Sequence, residues 1–219
     1  MKKIGILAAL AISATSFFAV STPAAHAAVK CSEATAKAHT PGKVAQPTKA
    51  AKPLPKKFTF NTNCGVIEVT LNAKAPITIS SLAALIKGKY YDNSLCHRLT
   101  TQGLFVLQCG DPTLTGAGSP TGWKGYKDEN LPKSAANNYP EGTVAMANSG
   151  PNTNGSQFFI VYQDTALPPN YSVWGTVTTG LEVIDAIAAA GVAPDEAGNA
   201  RTDGPPLQPV VISQAVSGS

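Results

Sequence analysis

Histidine is scarce in this sequence of 219 residues, which contains three of them. His26 and His39 lie near the amino terminus, so His97 alone remains for the region that can fold. A serine triad or a cysteine–histidine pair would have to be built around that single imidazole, and nothing near it in the sequence resembles an activated nucleophile. Hydrolysis through a covalent acyl intermediate is therefore not predicted.

Motifs for metal, redox and phosphate chemistry are also missing. The four cysteines, Cys31, Cys64, Cys96 and Cys109, form no Cys-x-x-Cys pair and no cysteine–histidine spacing typical of zinc sites. The glycine-rich segment 116–118 lacks the Lys-Ser/Thr and the strand–loop–helix setting of a phosphate loop. We therefore expect no metal ion and no cofactor.

Positive charge is lacking where a nucleic-acid-binding protein needs it. The net charge is +4, but residues 28–57 contain seven lysines against Glu33, whereas residues 58–219 contain eight basic and twelve acidic residues. The folded part is thus mildly acidic. Because a nucleic-acid surface requires positive charge clustered on the fold, we expect no nucleic-acid partner.

Residues 1–27 have the three parts of a secretory signal peptide. Lys2 and Lys3 precede an apolar run from Ile4 to Val20, and Ala25-His26-Ala27 supplies the small residues of a cleavage site. The run is shorter than the roughly 20 apolar residues of a membrane span, so a cleaved signal is preferred to an uncleaved anchor. We expect a secreted protein, located outside the cell or at its wall.

Residues 28–57 are rich in Lys, Ala, Pro and Thr and have few large apolar side chains. Such a composition buries too little surface to offset the entropy of ordering the backbone, so it predicts a disordered tether. A solvated spacer is the simplest interpretation. A polycationic arm would also associate weakly with an anionic cell wall or membrane surface. Residues 58–219 are then the folded domain, which we expect to be a monomer.

Short alternating runs joined by Gly, Pro and Asn dominate the domain. Phe58-Thr59-Phe60 and residues 66–71 flank the turn Asn63-Cys64-Gly65, which predicts a hairpin. Helical spacing occurs twice, after Pro76 and from Leu181 to Ala188, and Gly88 and Gly191 end the two patterns. Many short strands with two helices predict a closed or nearly closed antiparallel barrel with helices covering its ends.

The strongest motif covers residues 145–161. Two apolar runs flank a loop of Asn, Ser, Gly, Pro and Thr residues, whose side chains can satisfy their own backbone. The period of two in a strand places Gln157 and Phe159 on one face, and Phe158 and Ile160 on the other. For Phe159 alone, a packed core aromatic would be the commoner interpretation.

Residues 146–160 closely resemble the cyclophilin signature, and His97-Arg98, residues 105–111, residues 128–130 and residues 173–175 match in order. From Phe58 to Ser217 the sequence is similar to cyclophilin-type peptidyl-prolyl cis-trans isomerases, in a secreted bacterial, actinobacterial-like form. The resemblance implies a closed eight-stranded antiparallel β-barrel capped by two α-helices. It also implies isomerisation of X-Pro bonds in proline-containing polypeptides, without metal or cofactor, and assistance to the folding of exported proteins.

The same resemblance assigns the site. Arg98 would be the catalytic arginine and Gln108 its orienting partner, with Phe159 as the aromatic wall of the proline pocket. The residues assigned to substrate binding are Phe105, Val106, Ala147, Asn148, Gln157, Leu167 and Tyr171. A non-catalytic exported peptide-binding or chaperone module is the alternative, but it would not need both Arg98 and Gln108.

One insertion and three residues depart from the family pattern. Two extra residues lie around Thr101-Gln102, and Val106 stands where methionine is usual. Ala166 stands where many members have tryptophan, and Tyr171 lies near the usual histidine. Because the last two shape the rim of the pocket, we expect retained activity with changed ligand preference and weak binding of cyclosporin-like macrocycles.

An exported chain with four cysteines is expected to form at least one disulfide, and the sequence leaves three pairings open. We favour Cys96 with Cys109, which flank the segment containing Arg98 and Gln108. If Arg98 and Gln108 share a face, regular alternation places these two cysteines on opposite faces. The pairing therefore requires a bulge.

Overall fold

The structure is a computed structural model and describes residues 29–219. The predicted signal peptide, residues 1–27, lies outside the described residues. The described part has ten strands and two helices: β1 (Lys57–Thr62), β2 (Gly65–Leu71), α1 (Pro76–Lys87), β3 (Ser94–Leu95), β4 (Arg98–Gln102), β5 (Leu104–Cys109), β6 (Thr143–Met146), β7 (Phe158–Val161), β8 (Val173–Thr179), α2 (Leu181–Ala190), β9 (Asp203–Gly204) and β10 (Val211–Gly218). Neither helix is long and apolar enough to cross a membrane in this part of the chain.

The strands form one curled antiparallel sheet in the order β3-β10-β1-β2-β8-β6-β7-β5-β4-β9. The mainly β class with two helices is confirmed. The predicted closed ring of eight strands is not confirmed, because the sheet has ten strands and its ladder does not close. Strand β3 lies at one end of this order and β4 is next to the last strand, β9, at the other, yet only Cys96 and His97 separate β3 from β4 in the chain.

The two faces of the sheet bury different sets of side chains. Phe158 and Ile160 belong to the main core, whereas Phe159 and Val161 belong to a second cluster on the other face. In the main core Phe158 stacks on Phe60 at 5.2 Å between ring centroids. This confirms the predicted alternation. Burying a phenylalanine contributes about 1.5–3 kcal/mol, so the alternation is strongly fixed.

A carboxylate from a distant loop accepts hydrogen bonds from the free backbone N–H groups at the start of helix α1. Pro76 occupies the first turn, where its missing N–H costs nothing. The backbone N–H groups of Ile77 and Thr78 donate to the Glu129 carboxylate at 3.1 and 2.8 Å. The negative charge also suits the positive end of the helix dipole. Glu129 thereby anchors the loop that precedes the strand β6.

Residues 29–56, which we call the strap, lie against the domain, whereas the sequence predicts a disordered tether for this segment. Trp123 donates from Nε1 to the Val44 carbonyl at 2.8 Å, and the Gln46 side chain exchanges two hydrogen bonds with the Lys124 backbone at 2.6 and 3.0 Å. Ala51 donates to Ser80 of α1 at 2.8 Å. Composition misses these contacts because the domain supplies the backbone partners and packs the few apolar side chains of the strap.

Two disulfides join the four cysteines, as Cys31–Cys64 and Cys96–Cys109. The second is the predicted pair. This pairing requires a break in the regular alternation, and the break lies between β3 and β4. There Cys96 donates its N–H to Val210 O at 2.9 Å and is not part of the regular β4–β5 ladder. The first disulfide attaches the strap to the β1–β2 turn.

Candidate active site

The β4–β5 hairpin places Arg98 directly opposite Gln108. Arg98 Nη1 donates to Gln108 Oε1 at 3.1 Å, and Gln108 Nε2 donates to Gln157 Oε1 at 2.9 Å. Gln157 Nε2 in turn donates to the carbonyls of Gly116 and Gly118 at 3.0 and 2.9 Å. The arginine is therefore the outer end of a hydrogen-bonded chain that runs back to a loop of the domain.

A pocket of about 160 Å³ opens beside this arginine. Strands β4, β5 and β7, the end of β6 and the loop before β8 provide its walls. The residues that line it are Arg98, Leu104, Val106, Gln108, Ala147, Asn148, Phe159, Leu167 and Tyr171. Eight of the ten residues assigned from the sequence thus lie together, with an apolar floor and a polar edge.

An aromatic group forms the base of the pocket. The Phe159 and Tyr171 rings meet edge to face with centroids 5.4 Å apart, and Tyr139 lies 6.2 Å from Phe159. The buried Tyr139 hydroxyl donates to Tyr171 O at 3.2 Å and accepts from Tyr171 N at 3.0 Å. Burial raises the pKa of Tyr139 to about 12, so the hydroxyl stays protonated and fixes Tyr171.

A second acceptor holds the arginine from its other side. Arg98 Nε and Nη2 donate to the two Asp203 carboxylate oxygens, both at 2.7 Å. The hydrogen bond to Asp203 raises the pKa of Arg98, and the same bond lowers the pKa of Asp203. The pair therefore stays ionised at neutral pH. Nothing in the sequence indicated Asp203, which follows Arg98 by 105 positions.

The polar loop after β6 is held by its own side chains, as the sequence predicts, and also by Asp128. Ser149 N–H donates to Thr153 Oγ1 at 2.8 Å, and Asn154 Nδ2 donates to Asp128 Oδ1 at 2.8 Å. Asn148 Nδ2 donates to Asn170 O at 2.8 Å, which ties this loop to the one carrying Tyr171. The rim of the pocket is thus fixed on two sides.

His97, next to the arginine, has no hydrogen-bond partner at either ring nitrogen among residues 29–219. Burial lowers the pKa of His97 and outweighs the attraction of Asp111. The imidazole is therefore neutral at neutral pH. It lies behind Arg98 and does not line the pocket.

The family model for cyclophilin type peptidyl-prolyl cis-trans isomerase/CLD matches residues 57–217. The chain belongs to the cyclophilin family. This confirms the family that the sequence motifs indicated, and the matched range covers both helices and all ten strands except the last residue of β10.

Mycobacterial proteins are among the most similar relatives. A probable peptidyl-prolyl cis-trans isomerase B of Mycobacterium leprae is 43% identical over 185 residues, covering 78% of this chain and 61% of the relative. The Mycobacterium tuberculosis protein of the same name is 38% identical over 195 residues, covering 81% and 61%. The actinobacterial similarity is thus confirmed, and the chain spans about 61% of the length of these relatives.

Solved cyclophilins share the fold. A cyclophilin type peptidyl-prolyl cis-trans isomerase of Cryptosporidium parvum superposes with a TM-score of 0.62 at 27% identity, covering 75% of this chain and 98% of that one. The same protein, solved in the presence of the dipeptide Ala-Pro, gives a TM-score of 0.60 at 28% identity, covering 74% and 99%.

Phe105, which the sequence assigns to substrate binding, does not line the pocket beside Arg98. Phe105 contacts Tyr162 on the opposite face of the sheet, with ring centroids 6.0 Å apart, and its neighbour Leu104 lines the pocket instead. Since Arg98 pairs with Gln108, residues 104, 106 and 108 share the pocket face and residue 105 points away. In a regular strand two adjacent side chains point to opposite faces of the sheet, so they do not line the same wall of a pocket.

Gln157 also differs from its assignment. It does not line the cyclophilin pocket but lies behind Gln108, whose amide it holds. The sequence missed three residues of the site: Leu104 in the wall, Tyr139 beneath it and Asp203 at its edge. The alternation of β5 could have indicated Leu104. Tyr139 and Asp203 come from loops or short bridges that give no periodic signal.

Proposed function

We propose that this chain is a peptidyl-prolyl cis-trans isomerase that acts on proline-containing polypeptides. The observation that supports this best is the arrangement of Arg98, which is held at the edge of an apolar pocket with part of its guanidinium still free. A peptide-binding pocket alone would need the apolar floor but not a fixed cation beside it.

The pocket suits a prolyl ring. Val106, Leu104 and Phe159 present apolar surface, and the volume of about 160 Å³ accommodates a small side chain. The Cryptosporidium relative was solved with the dipeptide Ala-Pro, which supports a proline-containing ligand here. Gln108 and Asn148 supply polar groups at the edge of the pocket, and we propose that they hydrogen-bond to the peptide backbone on either side of the ring.

Catalysis follows from what rotation does to the peptide bond. Rotation about an X-Pro bond faces a barrier of roughly 18–20 kcal/mol because it breaks amide resonance. As resonance is lost, the prolyl nitrogen gains a lone pair that the planar bond does not offer. A guanidinium N–H of Arg98 aimed at that nitrogen binds the twisted state better than the planar states. No proton transfer is needed, which fits the neutral His97 with its buried ring nitrogens.

The test is the rate of cis-to-trans conversion of a short X-Pro peptide by the purified chain. Arg98→Ala should lower kcat/KM by about 10²–10³, the usual cost of removing one fixed transition-state donor. Arg98→Lys should recover part of the loss, because an ammonium keeps the charge but not the planar fork. Lys133→Ala, which removes an exposed cation that does not line the pocket, is the matched control.

Circular dichroism should show the same fold for all three variants. If folded Arg98→Ala isomerises the peptide at the wild-type rate, the mechanism is wrong and the alternative function, a non-catalytic exported peptide-binding or chaperone module, takes its place.

We infer that the sheet is closed into a barrel by the segment that joins β3 to β4. Cys96 and His97 join β3 to β4. His97 donates its N–H to Gln108 O at 3.1 Å, and Cys96 donates its N–H to Val210 O at 2.9 Å. The two residues thus hydrogen-bond to Val210, next to β10, and to β5, which lie towards opposite ends of the strand order. All residues of the pocket come from one chain, so we also propose that the monomer is active, which size-exclusion chromatography with light scattering would test.

We propose that the protein is exported and assists the folding of exported proteins at the cell surface. Two disulfides favour an oxidising location. The strap carries exposed lysines close to Lys87 and Lys89, which flank Gly88, and close to Lys124. Together these lysines form a basic face that suits an anionic cell wall or membrane. Fractionation of cells should find the protein outside the cytoplasm, and high salt should release it from the wall. A cytoplasmic protein would refute this location.

A further inference from the structure

Arg98 has a carboxylate partner, Asp203, in addition to Gln108. Asp203 belongs to the two-residue strand β9, which pairs with Leu99 and Thr100 of β4. Its two oxygens accept from Arg98 Nε and Nη2 at 2.7 Å each. We propose that Asp203 is a positioning residue that fixes the Arg98 guanidinium in the orientation required for isomerisation. The inference rests on the proposed function.

The hydrogen bonds of Arg98 show why this partner matters. Asp203 takes the single N–H of Nε and one N–H of Nη2, and Gln108 takes one N–H of Nη1. One N–H on each terminal nitrogen is then left for the substrate. Acceptors on two sides of the guanidinium fix its plane. Without Asp203, a single bond of 3.1 Å to Gln108 would remain, and it would permit rotation.

Orientation and charge predict opposite results when Asp203 is neutralised. If the charge of Arg98 alone mattered, loss of a neighbouring carboxylate would strengthen its attraction for the prolyl lone pair, and the rate would rise. If orientation matters, the guanidinium loses its fixed geometry and the rate falls. The pair is 37% and 54% exposed, so its contribution to global stability is small. Activity therefore separates the two effects.

The loop between α2 and β10 delivers Asp203 to this position. Thr101 N–H donates to Thr202 O at 2.9 Å, which fastens the loop to the edge of β4. Arg201 Nε donates to Ala193 O at 2.9 Å and packs against Gly204, where a Cβ would lie 2.9 Å from the guanidinium carbon. The carboxylate is thus placed by backbone contacts on both sides, independently of Arg98.

The experiment compares wild type, Asp203→Asn and Asp203→Glu in the full chain. We expect Asp203→Asn to lower kcat/KM about tenfold through kcat, with KM changed less than about twofold, and Asp203→Glu to recover part of the rate. Glu196→Gln removes one charge from the same loop without touching Arg98 and serves as the matched control. A wild-type or higher rate for Asp203→Asn would overturn the inference.

A double-mutant cycle separates positioning from structural support. In the Arg98→Ala background, Asp203→Asn should cause no further loss of kcat/KM. An equal loss in both backgrounds would show that Asp203 acts through the fold and would overturn the inference. Nitrogen-15 NMR of the Arg98 Nε–H should also show slow solvent exchange in wild type and fast exchange in Asp203→Asn.

This NMR measurement does not depend on activity. If the wild-type chain fails to isomerise X-Pro peptides, the proposed function fails. A fast-exchanging Nε–H in wild type would instead refute the Asp203 contact, whatever the activity.

Discussion

Replacing each of two adjacent residues of β5 by alanine should have different effects. Leu104 lines the pocket, whereas Phe105 packs on Tyr162 and the main core from the other face. We therefore expect Leu104→Ala to reduce kcat/KM with little loss of stability. Phe105→Ala should lower stability while leaving kcat/KM nearly unchanged.

The magnitudes follow from burial. Both side chains are partly buried, so we expect each alanine substitution to cost about half of the free energy that truncating a fully buried residue would cost. For Leu104 that is about 1 kcal/mol of substrate contact, or roughly a fivefold reduction in kcat/KM. For Phe105 it is about 2 kcal/mol of folding free energy, which lowers Tm by about 4–8 °C in a domain of this size.

The assays are X-Pro peptide isomerisation below the lower Tm and thermal unfolding by circular dichroism. Leu131→Ala, at an exposed leucine that does not line the pocket, is the matched control. If Phe105→Ala loses more activity than Leu104→Ala and both melt like wild type, the faces of β5 have been assigned the wrong way round.

Three further predictions concern other parts of the molecule. Deleting residues 29–56 should lower Tm but leave isomerase activity on short peptides nearly unchanged, because the strap contacts α1 and the loop around Trp123 rather than the pocket; a large loss of activity would contradict this. Cyclosporin-like macrocycles should inhibit weakly, and Ala166→Trp, beside Leu167, should strengthen inhibition by adding a flat surface and an N–H donor; nanomolar inhibition of wild type would contradict this. Burial lowers the pKa of His97, so the unfolded chain binds its proton first as pH falls through the ordinary histidine value near ~6.5. Tm should therefore fall between about pH 7.5 and pH 5.5, and less so in His97→Gln; equal pH dependence of the two proteins would contradict this.

Local periodicity explains what the sequence could predict. The alternation of residues 157–160 depends only on the geometry of one strand, and the structure has Phe158 and Ile160 in the main core as expected. The same rule excludes Phe105 and Val106 from sharing a wall. The same rule, counted back from Gln108 along β5, indicates Leu104 as a pocket residue.

The features that the sequence did not predict depend on contacts between distant parts of the chain. Asp203 reaches Arg98 through a loop whose path is set by backbone hydrogen bonds, and no motif marks it. The strap has the composition of a disordered segment, yet a disulfide at Cys31, a hydrogen bond from Trp123 to the strap and a hydrogen bond from the strap to Ser80 hold it. Composition measures what a segment can bury by itself, not the partners that a folded domain offers.

The Cys96–Cys109 disulfide lies immediately beside the pair that faces the pocket, since Cys109 follows Gln108 and Cys96 precedes Arg98 by two positions. A slip of the β4–β5 hairpin by two residues would keep every side chain on its face, so hydrophobic burial alone does not oppose it. Such a slip would place Arg98 opposite Val106 and leave Gln108 without its partner. The covalent bond forbids this shift, so oxidation of two cysteines fixes the register on which the arginine–glutamine pair depends.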